Sequence, residues 1–122
     1  MIAKVVRPAE RHTQTGQTSG MVREEAFHSD NTWAGVARTA PKALSGWHHH
    51  GDHESVIYVL AGRIRIECGA GGRTVLEGGP GDFLLIPARE VHREGNPTDE
   101  TTDIVLVRAG QGEVVVNVDG PA

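Results

Sequence analysis

Four of the seven histidines fall within six residues, in the run Trp47-His48-His49-His50-Gly51-Asp52-His53-Glu54-Ser55. Side chains alternate along an extended strand, so His48 and His50 share one face and His49 points away. Two imidazoles on one face can reach a single metal ion. Imidazole suits Zn, Fe, Ni and Cu, and a carboxylate adds Mn. Gly51 lets the chain bend, which would bring His53 or Glu54 to the same point. Farther along, the short apolar run Phe83–Ile86 ends at Pro87 and is followed by His92, a lone histidine just past a corner. The plainer readings of the run are a solvated histidine loop or an expression tag, and tags sit at termini. His12 and His28 stand alone and read as surface residues. Ser55 has no visible base partner. Cys68 alternates with Ile64 and Ile66, so it reads as a packing residue and not as a nucleophile.

These groups must be carried by strands. From residue 34 onward Gly and Pro interrupt the chain too often for a helix of ten or more residues. The segments between them read as strands at Ala34–Thr39, Leu44–His50, Val56–Ala61, Arg63–Cys68, Arg73–Glu77, Phe83–Ile86, Ile104–Val107 and Val114–Val118. Arg63–Cys68 alternates cleanly, with Ile64, Ile66 and Cys68 on one face and Arg63, Arg65 and Glu67 on the other. Gly69–Gly72 and Gly78–Gly81 are turns. The best helical candidate is Val22–Phe27. The organisation expected is an arm or edge strand over 1–33 and one β-barrel over 34–118. The runs Val56–Leu60 and Ile104–Val107 are apolar on both faces, unlike a half-solvated antiparallel strand. They need a second cover, and a homodimer is expected to supply it.

The whole chain is 122 residues and 13.1 kDa, which is one domain. Twelve Lys and Arg stand against sixteen Asp and Glu, a net charge of −4, so the basic footprint of a nucleic-acid binder is missing. No apolar run approaches the roughly 18 residues of a membrane helix, and Met1–Gln17 carries no apolar leader. A single cysteine excludes an internal disulfide framework. The cytoplasm is the expected compartment.

With both histidine segments in view, the sequence resembles the cupin superfamily, small jelly-roll β-barrels whose motifs are written G(x)5HxH(x)3,4E(x)6G and G(x)5PxG(x)2H(x)3N. Gly81, Pro87, His92 and Asn96 fit the second motif at its spacings, with Arg89 replacing its middle Gly. His48, His50 and Gly62 fit the first, with Lys42 replacing its opening Gly. The carboxylate position is the departure. Ser55 stands where the motif carries Glu, and Glu54 is one residue out of frame. Strand parity groups His53 with Ser55, Ile57 and Val59 on the inward face. The resemblance therefore implies an all-β, single-domain cupin-type barrel holding one divalent transition metal (Fe, Mn, Zn or Ni) on His48, His50 and His92. His53, in preference to Glu54, is the further ligand.

Neutral imidazoles leave the ion's positive charge uncompensated, which favours a small anionic substrate that chelates through two oxygens. The leading expectation is a dioxygenase or related oxidoreductase. A metal-dependent isomerase or lyase and a non-catalytic ligand-binding barrel are the alternatives, because one fold hosts many chemistries.

Overall fold

Between its Gly and Pro interruptions the chain forms strands of two to eight residues, which the computed structural model describes for residues 2–111 and 115–122. Within those residues they are β1 (Met21–His28), β2 (Thr32–Thr39), β3 (His48–His49), β4 (Glu54–Ala61), β5 (Ile64–Cys68), β6 (Thr74–Gly78), β7 (Phe83–Ile86), β8 (His92–Gly95), β9 (Thr102–Ala109) and β10 (Val116–Asn117). They pair antiparallel in two five-stranded sheets, ordered β1-β2-β9-β4-β7 and β10-β3-β8-β5-β6. The fold is all-β, a single jelly-roll barrel. Among the described residues no helix is long and apolar enough to cross a membrane.

The core lies between the sheets. Ala37, Ile57, Val59, Ile64, Ile66, Ile86, Ile104 and Leu106 are buried there, with Trp33, Cys68 and Leu84 packed against them. Each large aliphatic side chain stabilises the fold by about 1.5–3 kcal/mol. The expected alternation of Ile64 and Ile66 against Arg65 and Glu67 holds in β5.

Three local expectations are corrected. Val22–Phe27 is no helix but the middle of β1, whose inward residues are Met21, Arg23 and Glu25. Two of those three are charged, so a hydrophobic pattern could not reveal the alternation. Leu44–His50 narrows to β3 and a single bridge from Leu44 to Gly95. Ser45 intervenes, its hydroxyl accepting the Glu94 N–H at 3.0 Å. The last expected strand, Val114–Val118, is β10 at Val116–Asn117, and Val114 itself lies outside the described residues.

Register puts an apolar sheet face outside as well as inside. Tyr58 faces Phe83 and Val105, and Val56 faces Leu85 and Val107, all on the outer surface. Phe83 is 72% exposed and Leu85 57%.

The corners hold the strands in register. Asn96 is buried and donates through Nδ2 to the carbonyls of Thr39 and Glu100, while its Oδ1 accepts the Thr98 N–H and hydroxyl. The motif asparagine is thus a brace between β2 and the β8–β9 turn. Two non-glycine residues among those described have positive φ, Lys42 (62°) and Arg89 (63°). Both stand where the cupin motifs carry glycine. The backbone keeps the glycine conformation although the side chain has changed. Arg89 is held there by its N–H on the Gly51 carbonyl at 2.8 Å and its guanidinium on Asp52 at 2.5 Å.

A left-handed L-residue is strained by about 1–2 kcal/mol, partly offset in glycine by backbone entropy. Arg89→Gly is therefore expected to raise the urea midpoint, by up to about 1 kcal/mol in stability. Gly62→Ala should lower it, because φ there is +82° and a Cβ would sit 2.5 Å from Thr102 Oγ1.

Candidate metal centre

β3 brings His48 to the barrel interior, and its register partner on β8 is His92. His50, two residues on, faces the same way. All three are buried. Their ring centroids are 4.3 Å apart for His48–His92 and 5.0 Å for each of the other two pairs. One ligand atom from each lies within 4.8 Å of the others. Small rotations would bring them to the roughly 2.1 Å bonds of a metal–imidazole site.

Main-chain carbonyls decide which nitrogens are available. His48 Nδ1 lies 2.9 Å from Gly46 O, and His92 Nδ1 lies 2.9 Å from Glu90 O. A carbonyl only accepts, so each Nδ1 carries the proton and each Nε2 keeps its lone pair. His92 Nε2 is buried with no hydrogen-bond partner among the described residues. Burial pushes His48 below its ordinary value of 6.5, and the neighbouring His92 acts in the same direction, while the Gly46 carbonyl opposes them. A buried, neutral imidazole with a free Nε2 is the form that binds a cation. His48, His50 and His92 can hold a metal ion.

His49 behaves as strand alternation requires. It is off this group, and its Nδ1 accepts the Gly51 N–H at 3.0 Å. His53, just before β4, is buried like Ser55 and Ile57, and it is not among the three histidines that converge. Its Nδ1 donates to the His50 carbonyl at 3.2 Å. β3 and β4 lie in different sheets, and the chain passes from one to the other between His49 and Glu54. Glu54 is exposed.

The interior holds charges that the motifs did not single out. Arg23, Glu94 and Arg108 are buried on inward faces of β1, β8 and β9. Glu94 and Arg23 act electrostatically on both His48 and Arg108. Parity could have found two of them: Glu94 is two residues from His92, and Arg108 follows Ile104 and Leu106 on one face. Beneath His92 a cavity of about 240 Å³ is lined by Ile66, Cys68, Leu84 and Ile86. Burial pushes the Cys68 thiol up, as does nearby Glu90, which keeps it protonated and suits packing.

A cupin-domain family model matches residues 35–108, so the chain belongs to the cupin family. The sequence matches none of the curated proteins. Among solved structures it is similar to KdgF from Halomonas sp., with a TM-score of 0.71 and 20% identity over 90% of this chain and 96% of that one. An uncharacterized conserved protein with a double-stranded beta-helix domain from Klebsiella pneumoniae gives 0.71 and 18% over 88% and 86%. The S161A mutant of Bacillus subtilis oxalate decarboxylase gives 0.70 and 17%, over 84% of this chain but 29% of that larger one. Mn(II) centers are described for that decarboxylase. At these identities the likeness is one of fold.

An unfolded histidine takes up a proton near pH 6.5, whereas His48 in the barrel does so only at lower pH. Between those points the unfolded state binds more protons, so stability rises with pH. In chelator-treated protein the melting temperature should therefore fall as pH drops below about 6.5, and His48→Asn should flatten that slope.

Proposed function

We propose that this cupin is a metal-dependent enzyme acting on a small organic anion. One divalent transition metal, Fe, Mn, Zn or Ni, would be held by His48, His50 and His92. The observation that carries this reading is the set of converging buried imidazoles, two of them fixed with Nε2 free by backbone carbonyls. A metal bound there supplies Lewis acidity and a template for a chelating substrate. The protein's own residues exclude water and set the charge. The three imidazoles bring no negative charge to the ion, and the buried cations Arg23 and Arg108 outnumber Glu94, the buried carboxylate beside them, so the interior favours anions.

An oxidoreductase of dioxygenase type is the leading reaction, because three protein ligands on a six-coordinate ion leave room for substrate and dioxygen together. Glu94 favours a second reading, a metal-dependent isomerase or lyase. It is a buried carboxylate on the face of His92, placed to take or give a proton beside a substrate. A cytoplasmic setting suits the unpaired Cys68.

Untagged protein analysed by mass spectrometry should carry a single divalent ion. His48→Ala, His50→Ala and His92→Ala should lose it, and His49→Ala should keep it. Oxygen uptake by the iron form with oxo-acids or diketones supports oxidation. Turnover without oxygen uptake that Glu94→Gln abolishes supports the second reading. A wild type that binds anions but no metal would make the barrel a non-catalytic binder.

The reading includes a homodimer formed by the outer apolar face of the first sheet, around Phe83, Leu85, Val56 and Tyr58. An apolar patch of that extent is normally covered. Light scattering should give twice 13.1 kDa for the wild type, and Phe83→Glu should give the single-chain mass.

A further inference from the structure

Four buried side-chain polar atoms lack a hydrogen-bond partner among the described residues: Ser55 Oγ, His92 Nε2, Arg108 Nε and Asp103 Oδ1. The first three are on inward faces of the barrel. His92 Nε2 belongs to the metal centre. Ser55 and Arg108 are direct register partners across β4 and β9, and Trp33 pairs with Arg108 from β2. The three therefore form one inward row, Trp33–Arg108–Ser55. Residues opposite each other in such a row have Cβ atoms about 5 Å apart.

Arg108 is 5% exposed and Ser55 1%. The Arg108 guanidinium lies 5.6 Å from the centroid of the Trp33 ring, which supports it on one side without using its N–H donors. Burial pushes Arg108 down to about 10, and nearby Arg23 acts in the same direction, so it is still a cation at neutral pH. The two arginines differ in how they are held. Arg23 is anchored, with Nη1 donating to Thr18 Oγ1 at 3.0 Å and to Gly16 O at 3.4 Å. Arg108 has no such anchor. Among the described residues it makes no ion pair, although Glu94 is near enough to act on it. A buried guanidinium with an idle donor costs stability unless something with negative charge completes it.

The geometry points to Arg108, flanked by Ser55 and Trp33, as a carboxylate-binding subsite of the barrel. It would hold a carboxylate of the molecule whose chelating end lies at the histidine centre. This rests on the metal-dependent reading above and narrows its substrate class to acids with a carboxylate beyond the chelating group. A planar guanidinium matches a carboxylate bidentately, and the Ser55 hydroxyl adds a donor beside it.

The test is calorimetric binding of dicarboxylic 2-oxo-acids of four to six carbons against monocarboxylic 2-oxo-acids of equal length. It uses full-length protein, loaded with Mn(II) and, separately, chelator-treated. At least one dicarboxylate should bind the Mn(II) form tenfold or more tightly than its monocarboxylic counterpart. Arg108→Met should erase that preference with metal content unchanged, and Arg108→Lys should restore part of it. Metal retained but no preference in wild type overturns the subsite and leaves the metal reading standing. If wild type holds no metal, that reading fails by itself, and the chelator-treated arm decides the subsite. There, a tenfold loss of dicarboxylate binding in Arg108→Met supports it, and equal binding overturns it. Melting of the unliganded variants separates binding from framework. Arg108→Met should be as stable as wild type or more so, and a marked loss of stability would make Arg108 a structural wall residue and overturn the proposal.

Discussion

A proton on Nδ1, held by a main-chain carbonyl, determines what the interior of this barrel can do. His48 gives its Nδ1 proton to Gly46 and His92 gives its own to Glu90, which leaves both Nε2 lone pairs pointing inward. Neither bond would place the rings correctly without the strand register that sets His48 opposite His92. A slip of one residue would turn His49 inward and His48 out. The braces at Asn96 and at the Arg89 corner matter for that reason. Arg89 ties the β7–β8 corner to the Gly51–Asp52 turn, so the two histidine-bearing segments are fastened to each other just outside the centre.

The interior is a compromise between packing and charge. The aliphatic core from Ala37 to Leu106 is ordinary sheet-on-sheet packing. Beside it, Arg23 and Glu94 are buried near enough to His48 to act on it, and Arg108 is buried near both of them. Buried ions seldom stabilise a fold in their own right, since desolvation offsets most of the attraction between them. Their presence in a barrel of 122 residues, where little core is available to spare, points to use and not to stability.

Most of the fold was legible because glycine and proline punctuate it. The cupin motifs singled out His48, His50 and His92, and the fold brings these three rings together. The sequence hid what it encodes in polar letters. β1 turns Arg23 and Glu25 inward, so its period-two pattern is invisible to a hydrophobic reading. Alternation grouped His53 with the inward residues of β4, and the rings that converge are those of His48, His50 and His92. Arg108 closes the alternating run Ile104–Leu106–Arg108, yet a charged residue at a strand end reads as solvated until its burial is seen. Residues 89 and 42 keep a positive φ at the positions of motif glycines, although an arginine and a lysine stand there, and sequence letters alone do not show that.

β3 is only two residues long, and its neighbours are β8 on one side and β10 on the other. Val116 pairs with His49 and Asn117 with His48, and the chain end is fastened by Val118 N–H on Trp47 O and by Gly71 N–H on Ala122 O. So short a ladder is a weak cooperative unit, free to open locally while the long β2, β4 and β9 strands stay closed. Amide exchange at His48 and His49 would then report fraying of this C-terminal strap and not unfolding of the barrel. A cation gripping His48 and His92 would bridge β3 to β8 from inside and suppress that opening. Occupancy of the centre would thus be felt as slower exchange in a strand that contributes no ligand at all.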